Sequence, residues 1–386
     1  MEEKMTKKGW GFYLSVIGLI VFLVGSLEGY KPADPEGPSL TSSAKCKECH
    51  QEIFDGWKNT THALSIEDPI FKAAYLEAYF DTRGEAKLNC LRCHAPAVLI
   101  NKDYDLEKEI TSEGVTCDFC HSINKINLGD QSTPFKFENK RVKMGPMSDV
   151  VSPAHDTKLS SVFKSAEICA GCHEYVNDTG VKILGTYSEW KDSPYSAEGK
   201  QCQDCHMPLI AGRVVKDEIK SSNRKQVNVH DISAGHSVEQ LKKAVLVELK
   251  NISADKDFIV VSVDITNVGS GHMVPTGIPR RKLALIVDVK TPKEYYSQRK
   301  IYQRIMADDK GNEIKRDWEF FRSGVKEILD TRIKPREKKS ESFTFVSPKS
   351  ADVTVTARVE YLYEAMVLNP VEMRVVMAEV SQKIPK

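Results

Sequence analysis

Apolar residues follow three regimes along this chain. Residues 10–27 form an uncharged apolar run preceded by Lys4, Lys7 and Lys8. A run of about 18 residues exceeds the 7–15 of a signal-peptide core and reaches the roughly 17–25 that a spanning helix needs. Lysines ahead of such a run keep the N-terminus cytoplasmic and send everything after it outside. Two outcomes are compatible with the run. Its length favours an uncleaved anchor helix over residues 1–30; a cleaved signal is the alternative, because Val24 and Ser26 are small enough for the two specificity positions, although the alanines such sites prefer are absent. Residues 31–43, rich in Pro, Ser and Gly, read as a linker with no fold of its own.

Residues 44–242 show no sustained period. Helical apolar spacing is confined to stretches such as 69–79 and 237–246, and most connections hold Gly, Pro, Asn and Asp. Short helices, long loops and little sheet are expected there. Beyond residue 243 the pattern alternates in short runs, AVLVEL, FIVVSVDITNV, KLALIVDV, ESFTFV and VTVTARVEYLY. Five or more strands separated by turn signals predict an all-β domain over 243–386, a sandwich like an immunoglobulin or fibronectin type III domain. The fold class expected is therefore a mostly α and irregular domain followed by an all-β one, behind an N-terminal signal or transmembrane helix.

The chemistry sits in the first of these domains. The ten cysteines form five Cys-x-x-Cys pairs, and a histidine follows each pair at once: Cys46-Cys49-His50, Cys90-Cys93-His94, Cys117-Cys120-His121, Cys169-Cys172-His173 and Cys202-Cys205-His206. Disulfides, zinc sites and thioredoxin-like redox pairs all use paired cysteines, but none asks for a histidine at one fixed place after every pair. The chance of five such coincidences among so few histidines is on the order of 10⁻⁸, whereas C-x-x-C-H is the attachment signature of c-type haem. On one helical turn, positions i, i+3 and i+4 share a face, so two thiols bond the porphyrin while the imidazole reaches the iron. The spacing predicts five haem c groups in residues 44–242, with His50, His94, His121, His173 and His206 as proximal ligands. About 40 residues per haem cannot build five ordinary cores, so the porphyrins must serve as the core.

Five histidines remain after the motifs: His62, His155, His230, His236 and His272. They match in number the second axial ligands that five irons need, and they are the distal candidates. Methionine is the rival ligand, but Met144, Met147, Met207 and Met273 carry no ligand signature. His272 is the single histidine of the C-terminal region and lies in the glycine-rich GSGHMVPTG; the expectation is a loop that reaches across to one iron, its glycines allowing close approach to a flat porphyrin.

Charge removes one class of function. With 55 basic and 54 acidic residues and a net charge of +1, the chain lacks the basic excess of a nucleic-acid binder. Two propionates per haem would make the loaded protein roughly ten charges more negative, so an acidic partner surface is not strongly attracted.

The runs CKECHQEIFDGWKNTTHA, CLRCHAPA, GVTCDFCH and TYSEWKDSPYSAEGKQCQDCHMP resemble the multihaem c-type cytochrome family. It includes the tetrahaem electron acceptor of ammonia oxidisers and, more distantly, octahaem hydroxylamine oxidoreductase. The resemblance spans about residues 44–210 and implies that a histidine in the pattern W-x-x-[ST]-x-H, here His62 after Trp57, ligates a haem other than the nearest. GSGHMVPTGIPRRKLALIV is similar to a β-domain that follows the haem region in many members. Trp190 to Tyr195 repeats the form of Trp57 to His62 with tyrosine in place of histidine, so Tyr195 is expected either to pack on a haem edge or bond a propionate, or to line an open iron.

The function expected is electron transfer between a membrane redox partner, such as a quinol-linked enzyme, and a periplasmic or extracellular acceptor, on the outer side of the cytoplasmic membrane. Two alternatives stand beside it. One is a reductase or oxidase of small nitrogen or sulfur compounds with one open haem; the other is a subunit of a haem filament, homo-oligomer or membrane complex.

Overall fold

A computed structural model of the chain describes residues 40–138, 141–219, 225–324, 326–348, 352–365 and 371–385. The anchor or signal segment at 1–30 and most of the linker lie outside the described residues. Among the described residues no helix is long and apolar enough to cross a membrane. Residues from Pro38 onward form one compact unit.

The chain from Ser43 to about residue 244 is a succession of short helices. The longest in this stretch, Pro69–Thr82, extends one turn past its expected end; Asp68 caps its N-terminus by accepting from Phe71 N, and Pro69 fills the first position, where a missing N–H costs nothing. The second expected helix is Val238–Ala244, capped by Ser237. Little sheet was expected, and what forms is four two-stranded ribbons that tie loops together. Apolar clusters here are small: one is Ile66, Leu91, Ala95 and Val98, another Phe119, Ile123, Phe135 and Val162.

The rest of the chain is rich in β structure. Its strands are β1 (Val245–Ala254), β2 (Phe258–Asn267), β3 (Arg281–Lys290), β4 (Tyr295–Ala307), β5 (Lys326–Asp330), β6 (Lys338–Val346), β7 (Asp352–Ala365) and β8 (Val371–Pro385). They form a three-stranded sheet in the order β6-β2-β1 and a five-stranded sheet in the order β5-β4-β3-β7-β8. All five alternating runs read from the sequence are strands. Alternate side chains of both sheets, Ile259, Val261, Val263 and Ile265 of β2 with Leu283, Leu285, Val287 and Val289 of β3 among them, meet in one core. Every pairing within these two sheets is antiparallel.

This core reaches the helical part. Leu241, and Val274 within the His272 loop, belong to it, and Ile70 of the helix Pro69–Thr82 packs against it. A second shared cluster joins Tyr175 and Ile183 to Met306, Ile314 and Phe320. Arg304 of β4 donates to the carbonyls of Ile183 (3.0 Å) and Lys182 (2.6 Å), and Asn177 donates to the carbonyl of Gly324 (2.6 Å). The helical part is thereby docked on the sheets by both apolar and polar contacts.

Candidate functional site

Four of the five Cys-x-x-Cys-His motifs lie on helices that end at the histidine: Lys87–His94, Cys117–His121, Glu167–His173 and Cys202–His206. The first motif begins on the helix Ser43–Lys47 and finishes in the turn after it. Helices this short do not hold themselves, and those of the third and fifth motifs are capped by side chains. Thr116 Oγ1 accepts from Phe119 N (3.1 Å), and Gln201 and Asp204 form a reciprocal capping box.

Thiols of different motifs meet. Cys46 lies beside Cys117, Cys93 beside Cys172, and Cys169 beside Cys202, while Cys120 lies close enough for its charge to act on Cys169 and Cys172. Contacts therefore run from the first motif to the third, from the third to the fourth, and from the fourth to both the second and the fifth.

The histidines are oriented by their inner nitrogens. Nδ1 of His50 donates to Val214 O (2.6 Å), His121 to Met144 O (2.7 Å), His206 to Ser233 O (2.8 Å), His230 to Asn228 O (2.7 Å) and His272 to Met273 O (2.9 Å). His155 and His94 make longer contacts of the same kind, to Asp156 O (3.1 Å) and Ser65 O (3.4 Å). A carbonyl only accepts, so Nδ1 carries the proton and the Nε2 lone pair is the one that faces a metal, the tautomer a metal needs; at His272 the Ser270 hydroxyl also lies 3.3 Å from Nε2. His236 is held instead by a carboxylate, its Nδ1 3.5 Å from Asp68 Oδ2. Burial lowers the basicity of His62, His94 and His121 to about 4 and of His173 to about 3, which keeps these rings neutral near pH 7.

Three pairs stand at one spacing. Ring centres are 6.4 Å apart for His50 and His155, 6.3 Å for His62 and His173, and 6.4 Å for His206 and His272. An imidazole nitrogen lies about 2 Å from a bound metal and about 1 Å from its own ring centre, so two imidazoles on opposite sides of one iron have centres roughly 6 Å apart. Arg92 Nη2 and Arg281 Nε are buried without a hydrogen-bond partner in the protein, and a carboxylate such as a haem propionate would supply one. The donor set thus fits haem c. His121 has His230 as a charged neighbour, and His94 and His236 share Asp68 and Arg281 as theirs.

His62 reaches His173 because two sequence motifs clasp. Trp57 Nε1 donates to Val115 O (3.0 Å), and Val115 N donates to His62 O (2.9 Å). Gly114 stands at φ +73°, and a Cβ on it would lie 2.6 Å from the His62 carbonyl oxygen, so only glycine lets the strands of this clasp touch.

Known proteins resemble this chain in sequence and fold. The family model described as cytochrome c554 and c-prime matches residues 45–122, which hold the first three motifs. Cytochrome c-554 of Nitrosomonas europaea is 27% identical over 149 residues, a match that covers 36% of this chain and 61% of that protein. A solved penta-heme cytochrome c552 from Thermochromatium tepidum shares the fold with a TM-score of 0.68 at 22% identity, covering 89% of this chain and 99% of that one. The chain is similar to multihaem c-type cytochromes of the c554 type. The β-rich region is part of the shared fold, since the structural match takes in most of the chain.

The Tyr195 hydroxyl donates to Val268 O (2.9 Å) and its ring lies beneath Arg336, so it secures the glycine-rich loop. The close approach in that loop is made to protein: a Cβ on Gly269 would lie 2.0 Å from Lys243 O. Sequence reasoning passed over Asp68, Glu189 and Arg332. Glu189 lies inside the segment TYSEW already singled out, but a glutamate there carries no ligand pattern of its own.

Proposed function

We propose that this chain binds five haems, one on each motif, and passes electrons among them. Haem supplies one-electron chemistry; the chain orients the ligands, keeps the imidazoles neutral and excludes water. His155 serves the iron of His50, His62 that of His173, His272 that of His206, His230 that of His121 and His236 that of His94. The observation that carries this reading is the common spacing of the three histidine pairs at 6.3–6.4 Å. The contacts between thiols of different motifs support close neighbours in the order first, third, fourth, with the second and fifth both reached from the fourth. The two sheets around one core support an immunoglobulin-like sandwich as the C-terminal domain. The lysine-flanked apolar run supports export and anchoring at the outer face of the cytoplasmic membrane, where a membrane redox enzyme is the donor and an external acceptor the sink.

A second reading has one observation behind it. The His94 ring is stacked 3.9 Å from Phe71, and the buried Arg281 lies near both His94 and His236. Were His236 to stay with Asp68, the iron of His94 would face substrate as in a reductase. Electron paramagnetic resonance and magnetic circular dichroism of the oxidised protein separate the two. Five low-spin bis-histidine signals are expected; a high-spin ferric component selects the second.

A further inference from the structure

Glu189 sits on the helix Thr186–Lys191, which packs against the fourth-motif helix Glu167–His173. Its side chain is only 9% exposed and that of Arg332 only 7%. One carboxylate oxygen, Oε1, accepts from Arg332 Nη1 (2.6 Å). The other, Oε2, accepts from two groups of the glycine-rich loop: Met273 N (3.2 Å), the amide directly after His272, and Thr276 Oγ1 (2.6 Å). Arg332 is held in turn by Asp330, through Nε to Oδ1 (3.0 Å) and Nη2 to Oδ2 (2.8 Å). Thr186 of the same helix adds a hydroxyl contact to Thr276 (2.9 Å).

Burying the Glu189–Arg332 pair is costly, and apolar residues of equal size would stabilise as well; such groups are kept where they fix one arrangement among several. Here the arrangement fixed is that of the His272 backbone. Asn267 grips the same loop from the other side, donating to His272 O (3.0 Å) and Ile333 O (3.2 Å), and Val274 and Ile333 exchange both amide bonds at 3.0 Å. Between these two grips the imidazole stands 6.4 Å from His206 with ring planes 10° apart.

We infer that Glu189, set by Arg332, is a positioning residue that holds His272 on the iron of the fifth motif, so that a carboxylate borne beside the fourth motif fixes the distal ligand of the fifth. The inference rests on His272 being that ligand, and the test separates the two claims. Electron paramagnetic resonance of the full-length oxidised protein would be recorded for His272→Ala, Glu189→Ala, Glu189→Gln and Arg332→Met. His272→Ala identifies the signal by converting one low-spin haem to high spin; if all five stay low-spin, the ligand reading fails and the inference falls with it. Given that signal, Glu189→Ala should convert the same haem, with added imidazole restoring low spin. Glu189→Gln and Arg332→Met should shift its g-values and leave the other four in place. If the signal that His272→Ala removes is unmoved in Glu189→Gln and Arg332→Met, Glu189 is not positioning His272. Should Glu189→Ala disturb all five signals by misfolding, the isosteric Glu189→Gln decides alone.

Discussion

His62 shows how much one side chain depends on groups far from it in sequence. Its carbonyl accepts from Val115 N and lies 3.0 Å from the Ser65 hydroxyl, whose one proton is shared with the nearer His94 O (2.6 Å), so the residue is placed by the second and third motifs while its ring faces His173 of the fourth. Replacing it should not disturb the haem nearest in sequence. We expect His62→Ala to convert one haem to high spin and to lower that haem's midpoint stability against autoxidation, and we expect that haem to be the one on Cys169 and Cys172. The same substitution in a Cys169→Ala/Cys172→Ala background should produce no new high-spin signal. Conversion of a haem in that background would reassign His62 to another iron.

At the scale of elements, the motif helices are too short to be stable alone. Cys117–His121 has five residues, fewer than half the length at which an isolated helix begins to persist in water, roughly 12–15 residues. Few side chains are fully buried beside it: Ile123, Phe135 and Val162 join Phe119 of the helix itself. The ring bound there must therefore act as core. Replacing Cys117 and Cys120 with alanine should remove one haem and destabilise the protein by at least the about 3–5 kcal/mol typical of deleting a large buried aromatic side chain. Differential scanning calorimetry, with haem content measured on the same sample, checks this. Unchanged melting with one haem missing would show that the polypeptide builds its own core there.

For the whole molecule, the decisive feature is that the helical part and the sheets share clusters. Ile70 reaches the core between the sheets, Ile183 packs with Met306 and Phe320, and Arg304 is 8% exposed with both terminal nitrogens on carbonyls of the ribbon Lys182–Gly185. A single compact unit of this kind should mature as a whole. Pyridine haemochrome assay should give five haems per chain, resistant to acid-acetone because thioether bonds hold each ring. When residues 1–30 are exchanged for a cleavable signal, the product should be soluble and keep all five, whereas the native chain should sediment with membranes and resist carbonate extraction. Four haems or fewer in matured protein would show an idle motif, and native chains beginning near Leu27 would select cleavage over anchoring.

Features that depend on near neighbours in the chain were open to sequence reasoning. Two thiols and an imidazole at i, i+3 and i+4 share a helical face whatever surrounds them, and four of the five motifs do lie on such helices. Short alternating or apolar runs likewise announced β1, β2, β3, β6 and β7, because at least one face of each is buried and β3 is buried on both. They did not announce β4, whose first half is largely exposed, or the all-exposed β5. The family resemblance carried His62 away from its nearest motif but named no partner. That His62 meets His173, that His155 meets His50, and that Glu189 grips the amide after His272 are decided by loop closure over many residues. No local rule ranks the possible pairings of five distal histidines with five irons. Tertiary packing does, since Gly114, Gly269 and the Arg332–Asp330 pair admit one approach of backbone to backbone and exclude the others by contact.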